Sequence, residues 1–159
     1  MFIWLTRTTL GKLIATFFIS MVPIVELRLG LPYGITLGLS YWAALPAAVL
    51  GNLLPVPFII IFVRQVFAWL RRKNGRLDAW ITGLENKAHK KGDLVAKYGP
   101  IGLCLLVAIP LPGTGAWTGA LVAALLDLQI RRAFPSIVVG VLIAAAIMTG
   151  ITYGAIHIF

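Results

Sequence analysis

Polar positions are so sparse along this chain that their placement divides it into elements. From Leu13 to Val25 only Thr16 and Ser20 interrupt the apolar residues. Glu26-Leu-Arg28 follows, and no further charge occurs before Arg64. A transmembrane helix needs about 20 apolar residues. Pro46–Leu70 meets that requirement, with Pro55 and Pro57 predicted to kink it, and so does Phe134–Phe159. Two other apolar runs are too short to span. Leu13–Val25 stops at Glu26, and Ile101–Ile109 stops at Pro-Leu-Pro-Gly-Thr-Gly. Each is followed by a second short arm, Leu31–Ala44 and Ala116–Leu126.

A short arm, a polar Pro/Gly break and a short return arm describe a re-entrant hairpin. Irregular backbone survives at membrane depth only where protein or a water-filled cavity covers it, so both breaks are expected in the interior of the fold. The halves also correspond. A shift of 89 positions lays Pro23 on Pro112, Gly30 on Gly119, Pro46 on Pro135 and Gly51 on Gly140. Because Pro and Gly mark backbone geometry, their registration predicts one unit used twice. The expected fold is therefore all-α and integral to the membrane, an inverted repeat of two units. Each unit is a re-entrant hairpin followed by a transmembrane helix, and the two breaks point at each other near the midplane, as in many secondary transporters. Residues 1–159 form a single membrane domain: repeat unit 12–71, basic amphipathic linker 72–97 and repeat unit 98–159. The alternative is four ordinary spanning helices kinked at Glu26 and at the Pro-Gly break.

Composition agrees with the patterning. The chain is 60% hydrophobic and 12% charged, against about a quarter charged in soluble domains, and its mean hydropathy is +0.95. Arg7 and Lys12 ahead of an apolar stretch imitate a signal peptide. No small-residue cleavage site follows, so the segment is read as retained. The single cysteine, Cys104, excludes an internal disulfide and reads as a small buried residue.

The net charge of +9 is unevenly spread: eight of the 14 basic residues fall between Arg71 and Lys97, opposed there only by Asp78, Glu85 and Asp93. Beside membrane segments such a run places the loop in the cytoplasm and attracts anionic headgroups. Arg71, Arg72, Lys73 and Arg76 are the candidate lipid- or partner-facing residues, and nucleic acid is not an expected partner. Leu77, Trp80, Ile81, Leu84 and Ala88 recur at helical spacing there, which predicts a helix lying in the interface, apolar face down. Arg7 and Lys12 on the outer side weigh against this orientation.

Candidate chemistry falls in the two breaks. Glu26 and Arg28 lie two apart. In a helix that spacing separates them by about 200°, whereas in extended backbone they share a side. Gly30 and Pro32 argue against regular helix, so the pair is expected to converge on one cavity and to neutralise itself. An isolated mid-bilayer charge costs at least about 2.5–3.5 kcal/mol. The reading is that Glu26 takes protons or a cationic substrate and Arg28 takes anionic groups. The bland alternative is an ion pair that merely fixes the break.

In the second break, Pro110, Pro112, Gly113 and Gly115 set the bend and allow close approach of a ligand. Ala116 onward starts a half-helix whose N–H groups favour anions. Thr114 and Thr118 add hydroxyls and Trp117 an aromatic face; a plain tight bend explains the same residues equally well. Asn52 reads as bland packing, or as a group that hydrogen-bonds across helices or coordinates an ion. Asp127 and Arg131 read as an interfacial helix pair. His89 and His157 stand apart, and no metal site, cofactor motif or nucleophile constellation is visible.

Pro23-Ile-Val-Glu-Leu-Arg-Leu-Gly-Leu-Pro32 and Ile109-Pro-Leu-Pro-Gly-Thr-Gly-Ala-Trp-Thr-Gly119 resemble the two signatures of the small multidrug export protein family, over roughly Leu13 to Gly150. That family is similar in turn to the DedA superfamily, whose members carry paired re-entrant hairpins in inverted repeats. The resemblance implies export of drugs or proton-driven movement of polyprenyl-phosphate carriers. It places the superfamily's first-hairpin acid at Glu26. The superfamily's second-hairpin arginine has no counterpart, Thr114 standing in that neighbourhood, which leaves Arg28 as the candidate anion binder.

Together these readings predict a multi-pass inner-membrane transporter, not an enzyme, without cofactor or metal, coupled to protons or another ion. Its predicted cargo is a small amphipathic molecule. The alternatives are a polyprenyl-phosphate translocase and a non-transporting scaffold acting through the basic loop. A homodimer is expected, because a chain this short has little protein with which to shield two hairpins from lipid. A lipid phosphatase is disfavoured, since the chain offers five acidic residues and two scattered histidines.

Overall fold

The computed structural model describes residues 7–158 except 74 and 112. Among them all regular structure is helical. The order is α1 (Thr9–Met21), α2 (Glu26–Thr36), α3 (Tyr41–Leu53), α4 (Pro55–Lys73), α5 (Gly75–Tyr98), α6 (Pro100–Ala108), α7 (Ala116–Leu125) and α8 (Ile130–Ile158).

Four of these helices are short. At 1.5 Å per residue, α1 with 13 residues is about 20 Å long, and α2, α6 and α7 with 11, 9 and 10 residues are about 14–16 Å. None reaches the roughly 30 Å of a hydrocarbon core. Two stretches do, Tyr41–Val63 and Ile130–Thr152, each of 23 residues. Only 33% and 28% of their apolar windows are buried inside the fold, so most of each surface faces outward, as lipid-facing spans require. Among the described residues the protein is all-α, with two such candidate membrane spans.

Several boundaries differ from the sequence reading. The first span begins at Tyr41, not Pro46, and the return arm ends at Thr36, not Ala44. The turn at Leu37–Ser40, with Gly38 at φ 81°, separates them. The second span begins at Ile130, ahead of Phe134. In both cases proline sits in the second turn of the helix, at Pro46 and Pro135, so it did not mark the start. The backbone between α3 and α4 is interrupted only at Leu54, next to Pro55, where the missing N–H is expected to break the ladder. Asp127 lies in the turn before α8 with φ 61°, so helical i,i+4 spacing with Arg131 does not apply.

The packing uses small residues. Lipid is as apolar as leucine, so helices in a bilayer associate through close backbone approach and hydrogen bonds. Gly30 lies against Ser20, and Gly34 against Thr16 and Ala44. The Thr16 and Ser20 hydroxyls donate back along α1 to the Lys12 and Thr16 carbonyls, both at 2.8 Å, so burial leaves neither donor unpaired. Gly51 of α3 sits on the Phe17 carbonyl of α1, and Gly140 of α8 sits on the Cys104 carbonyl and Val107 of α6. Thus α1 packs on α3 as α6 packs on α8. The return helices cross over: α2 touches α8 and α7 touches α4. Leu31, Ala48, Val56, Leu103, Ala120 and Ile137 are among the residues filling the shared core.

The central basic segment is a 24-residue helix. Of its predicted apolar stripe only Ile81 has a described side chain. Ile81 and Val95 are buried, and Gly92 lies 3.1 Å from Leu126 Cδ1 of α7 and 3.5 Å from Val122 Cγ1. Arg72, Lys90 and Lys97 are exposed. The side chains of Arg71, Lys73 and Arg76, and of Leu77, Trp80, Leu84 and Ala88, lie outside the described residues, as do those of His89 and His157.

Candidate functional site

The two breaks meet. Val22–Val25 joins α1 to α2, and the segment from Ile109 to Gly115 joins α6 to α7. They enclose a cavity of about 510 Å³ whose wall includes Glu26, Arg28, Pro110, Thr114, Trp117 and Thr118.

Glu26 and Arg28 stand in the first turn of α2, not in extended backbone. Gly30 and Pro32 lie inside this helix. Gly30 is there for the Ser20 contact rather than for irregular backbone. Irregularity is confined to the entry, where Ile24 and Glu26 have φ of 79° and 48°. A β-branched residue at positive φ is a strained conformation, and such strain gathers at sites that the surrounding structure holds in place.

The Arg28 charge acts on Glu26, but each group makes its hydrogen bonds with the second half. Arg28 is held by the second break: Nη1 donates to the Leu111 and Thr114 carbonyls, both at 2.7 Å, and Nη2 donates to the Ile109 carbonyl at 3.1 Å and to Thr114 Oγ1 at 2.8 Å. Glu26, 5% exposed, accepts the Trp117 amide on Oε1 at 3.2 Å, with the Ala116 amide alongside.

Helix ends explain this division. The last carbonyls of α6 and the first amides of α7 lack intrahelical partners. Each end carries about half an elementary charge, negative at a C-terminus and positive at an N-terminus. The guanidinium takes the C-cap carbonyl of α6, Ile109, together with Leu111 and Thr114 of the break, and the carboxylate sits at the start of α7, so one residue pair from the first half holds the whole second break. Gly115, the residue before α7, has φ 132°, and the Glu26 carboxylate lies directly against the place its Cβ would occupy. Glycine is required there for both reasons.

The remaining polar side chains brace the second break. The Thr114 hydroxyl has the Ile109 and Leu111 carbonyls at 2.8 Å, and the Thr118 hydroxyl donates to the Gly113 carbonyl at 3.0 Å. The Trp117 indole N–H donates to the Met21 carbonyl at the end of α1, at 3.1 Å. Pro110, Gly113, Thr114, Trp117 and Thr118 therefore gather where the sequence placed them, with Gly115 behind the carboxylate.

Pro32 and Asn52 do not line the cavity. Asn52 is buried in α3, and its Oδ1 has no hydrogen-bond partner. Pro112 lies outside the described residues. Sequence reasoning missed Pro23, Ile24, Leu29 and Leu121 on the wall. It also missed the carbonyls of Met21, Ile109 and Leu111 as acceptors, since a backbone acceptor carries no residue signature.

Comparison with known proteins gives one positive result. A family model described as "Putative small multi-drug export protein" matches residues 26–147. The match takes in Glu26, Arg28, the whole second break and the first span. No curated protein and no solved structure matches the chain. With well over half its length inside the match, this chain belongs to the small multi-drug export protein family.

Proposed function

We propose that the protein is an ion-coupled membrane exporter of small amphipathic molecules, and that the cavity between the two breaks is its translocation site. The observation that carries this reading is the crossing of the charges. Glu26 and Arg28 leave their own half to hold the helix ends of the other, so both breaks become walls of one cavity. Intramembrane ionisable groups mark ion and substrate paths by default, and half-helix ends facing a cavity are a recurrent binding device in transporters.

An internal repeat supports the same reading. Tyr41 to Ile130 is 89 positions, and Val63 to Thr152 is again 89, the shift that registers the prolines and glycines. In our reading the short pairs α1–α2 and α6–α7 are re-entrant hairpins of opposite orientation, and alternating access is a rocking of one unit against the other. Glu26 is the coupling group, since it can exchange its amide partners for a proton. The end bearing α5 is cytoplasmic, because exposed Arg72, Lys90, Lys97, Arg131 and Arg132 cluster on the elements that meet at Gly92 and Leu126. The protein is read as a homodimer in the inner membrane, the largely unburied spans offering surface for a second copy.

The test is transport in proteoliposomes under an imposed pH gradient, with wild type beside Glu26→Gln. Gradient-driven movement of an amphipathic probe is expected in the wild type and lost in the variant. Uphill transport fully retained by a monodisperse Glu26→Gln protein would sink the coupling role.

A further inference from the structure

Taking the cavity as the translocation site, the polar atoms around it divide unequally between donors and acceptors. The side-chain donors are spent on the protein. Four of the five guanidinium N–H groups of Arg28 are committed to Leu111, Thr114 and Ile109, leaving only Nε. The hydroxyl protons of Thr114 and Thr118 go to break carbonyls and the Trp117 indole N–H to Met21.

The acceptor side is different. A carboxylate accepts about four hydrogen bonds, and Glu26 takes one at 3.2 Å with a second amide beside it. The Arg28 charge acts on it from the same wall, but Arg28 gives its hydrogen bonds to the second break and none of them to the carboxylate. Pro23, Ile24, Leu29, Pro110, Leu111 and Leu121 make the rest of the described wall apolar, and Trp117 adds a ring.

We infer that the cavity selects organic monocations with apolar bodies over amphipathic anions of the same size, through the Glu26 carboxylate and the Trp117 ring. A cation gains from the carboxylate in a low-dielectric setting, where charge interactions are strongest, and from an aromatic face. It displaces at most a single long amide contact. An anion finds no free hydroxyl or indole donor. To engage Arg28 beyond Nε it must dismantle the contacts that hold the second break in shape. The arginine is thus a positioning residue and not an anion receptor.

The experiment uses two ions of matched shape and opposite charge, tetraphenylphosphonium and tetraphenylborate, in equilibrium binding to the full-length protein in micelles. Tetraphenylphosphonium is expected to bind at least about tenfold tighter, and Glu26→Gln to abolish most of that difference. Equal or tighter binding of tetraphenylborate overturns the selection, as does undiminished phosphonium binding in Glu26→Gln. Binding of neither ion by the wild type overturns it as well. Should Glu26→Gln not yield monodisperse protein, Leu121→Trp, which fills the cavity without changing its charge, is expected to weaken phosphonium binding, and unchanged binding overturns the location. The two readings fail separately. Phosphonium binding without driven flux of any amphiphile removes transport and leaves the selection standing, whereas driven flux with an anion preference does the reverse.

Discussion

Arg28 is where the fold is most sensitive to a single substitution. Removing its side chain in Arg28→Ala deletes four contacts to the second break. Two are partly buried, to the Thr114 carbonyl and hydroxyl, and two are exposed, to Leu111 and Ile109. A hydrogen bond to a charged group contributes about 1.5–3 kcal/mol net. Taking the lower figure for the buried pair and little for the exposed pair gives a loss of about 3 kcal/mol. For a chain of 159 residues each kcal/mol moves Tm by about 2–4 °C, so Arg28→Ala should melt about 6–12 °C lower. Lysine keeps the charge but lacks the planar fork that reaches several carbonyls at once, so Arg28→Lys should recover about half of the loss. Thermal unfolding in a fixed detergent, followed by size-exclusion of the soluble fraction, reads both. In a double-mutant cycle with Thr114→Val, the pair should show a coupling of about 1 kcal/mol. Arg28→Ala melting within about 2 °C of wild type, the shift of about 0.5–1 kcal/mol, would refute the clamp.

Three further outcomes follow from the packing. Gly115→Ala places a Cβ against the Glu26 carboxylate at a positive φ, so a loss of more than about 2 kcal/mol and a fall in monodisperse yield are expected. Gly83→Ala on α5 meets nothing within 4 Å, so it should raise stability by up to about 1 kcal/mol through helix propensity alone; a drop in Tm would show that α5 is not helical there. Asn52→Leu removes the unpartnered Oδ1 and should be neutral or stabilising by about 1–2 kcal/mol. A loss in thermal unfolding would mean that Asn52 is held by a partner in the membrane.

The sequence carried the second break almost residue for residue, because Pro110, Gly113 and Gly115 act on their own backbone, and local rules suffice where the cause is local. It carried the first break less well. Gly30 and Pro32 were read as signs of irregular chain, yet they lie inside α2, Gly30 answering to Ser20 on another helix. Glu26 and Arg28 share one cavity wall as expected, but their hydrogen-bond partners were not foreseen, for a related reason. Two neighbouring opposite charges suggest each other, while the hydrogen-bond partners they found are four backbone groups and the Thr114 hydroxyl, 81–91 positions away, whose availability depends on where α6 ends and α7 begins. The helical spacing of the α5 stripe was visible, but periodicity does not say whether a stripe meets lipid or protein, and of its residues only Ile81 is described, buried.

The crossing of the charges also sets a clock on biogenesis. Glu26 and the Trp117 amide that receives it are 91 residues apart. At about 5–20 residues per second, some 5–20 s pass between synthesis of the carboxylate and synthesis of its partner. For that interval the nascent first half holds a glutamate and an arginine at a bilayer with neither helix end yet made. The hydrogen bonds that Glu26 and Arg28 make in the folded protein can therefore form only after the second half has been translated.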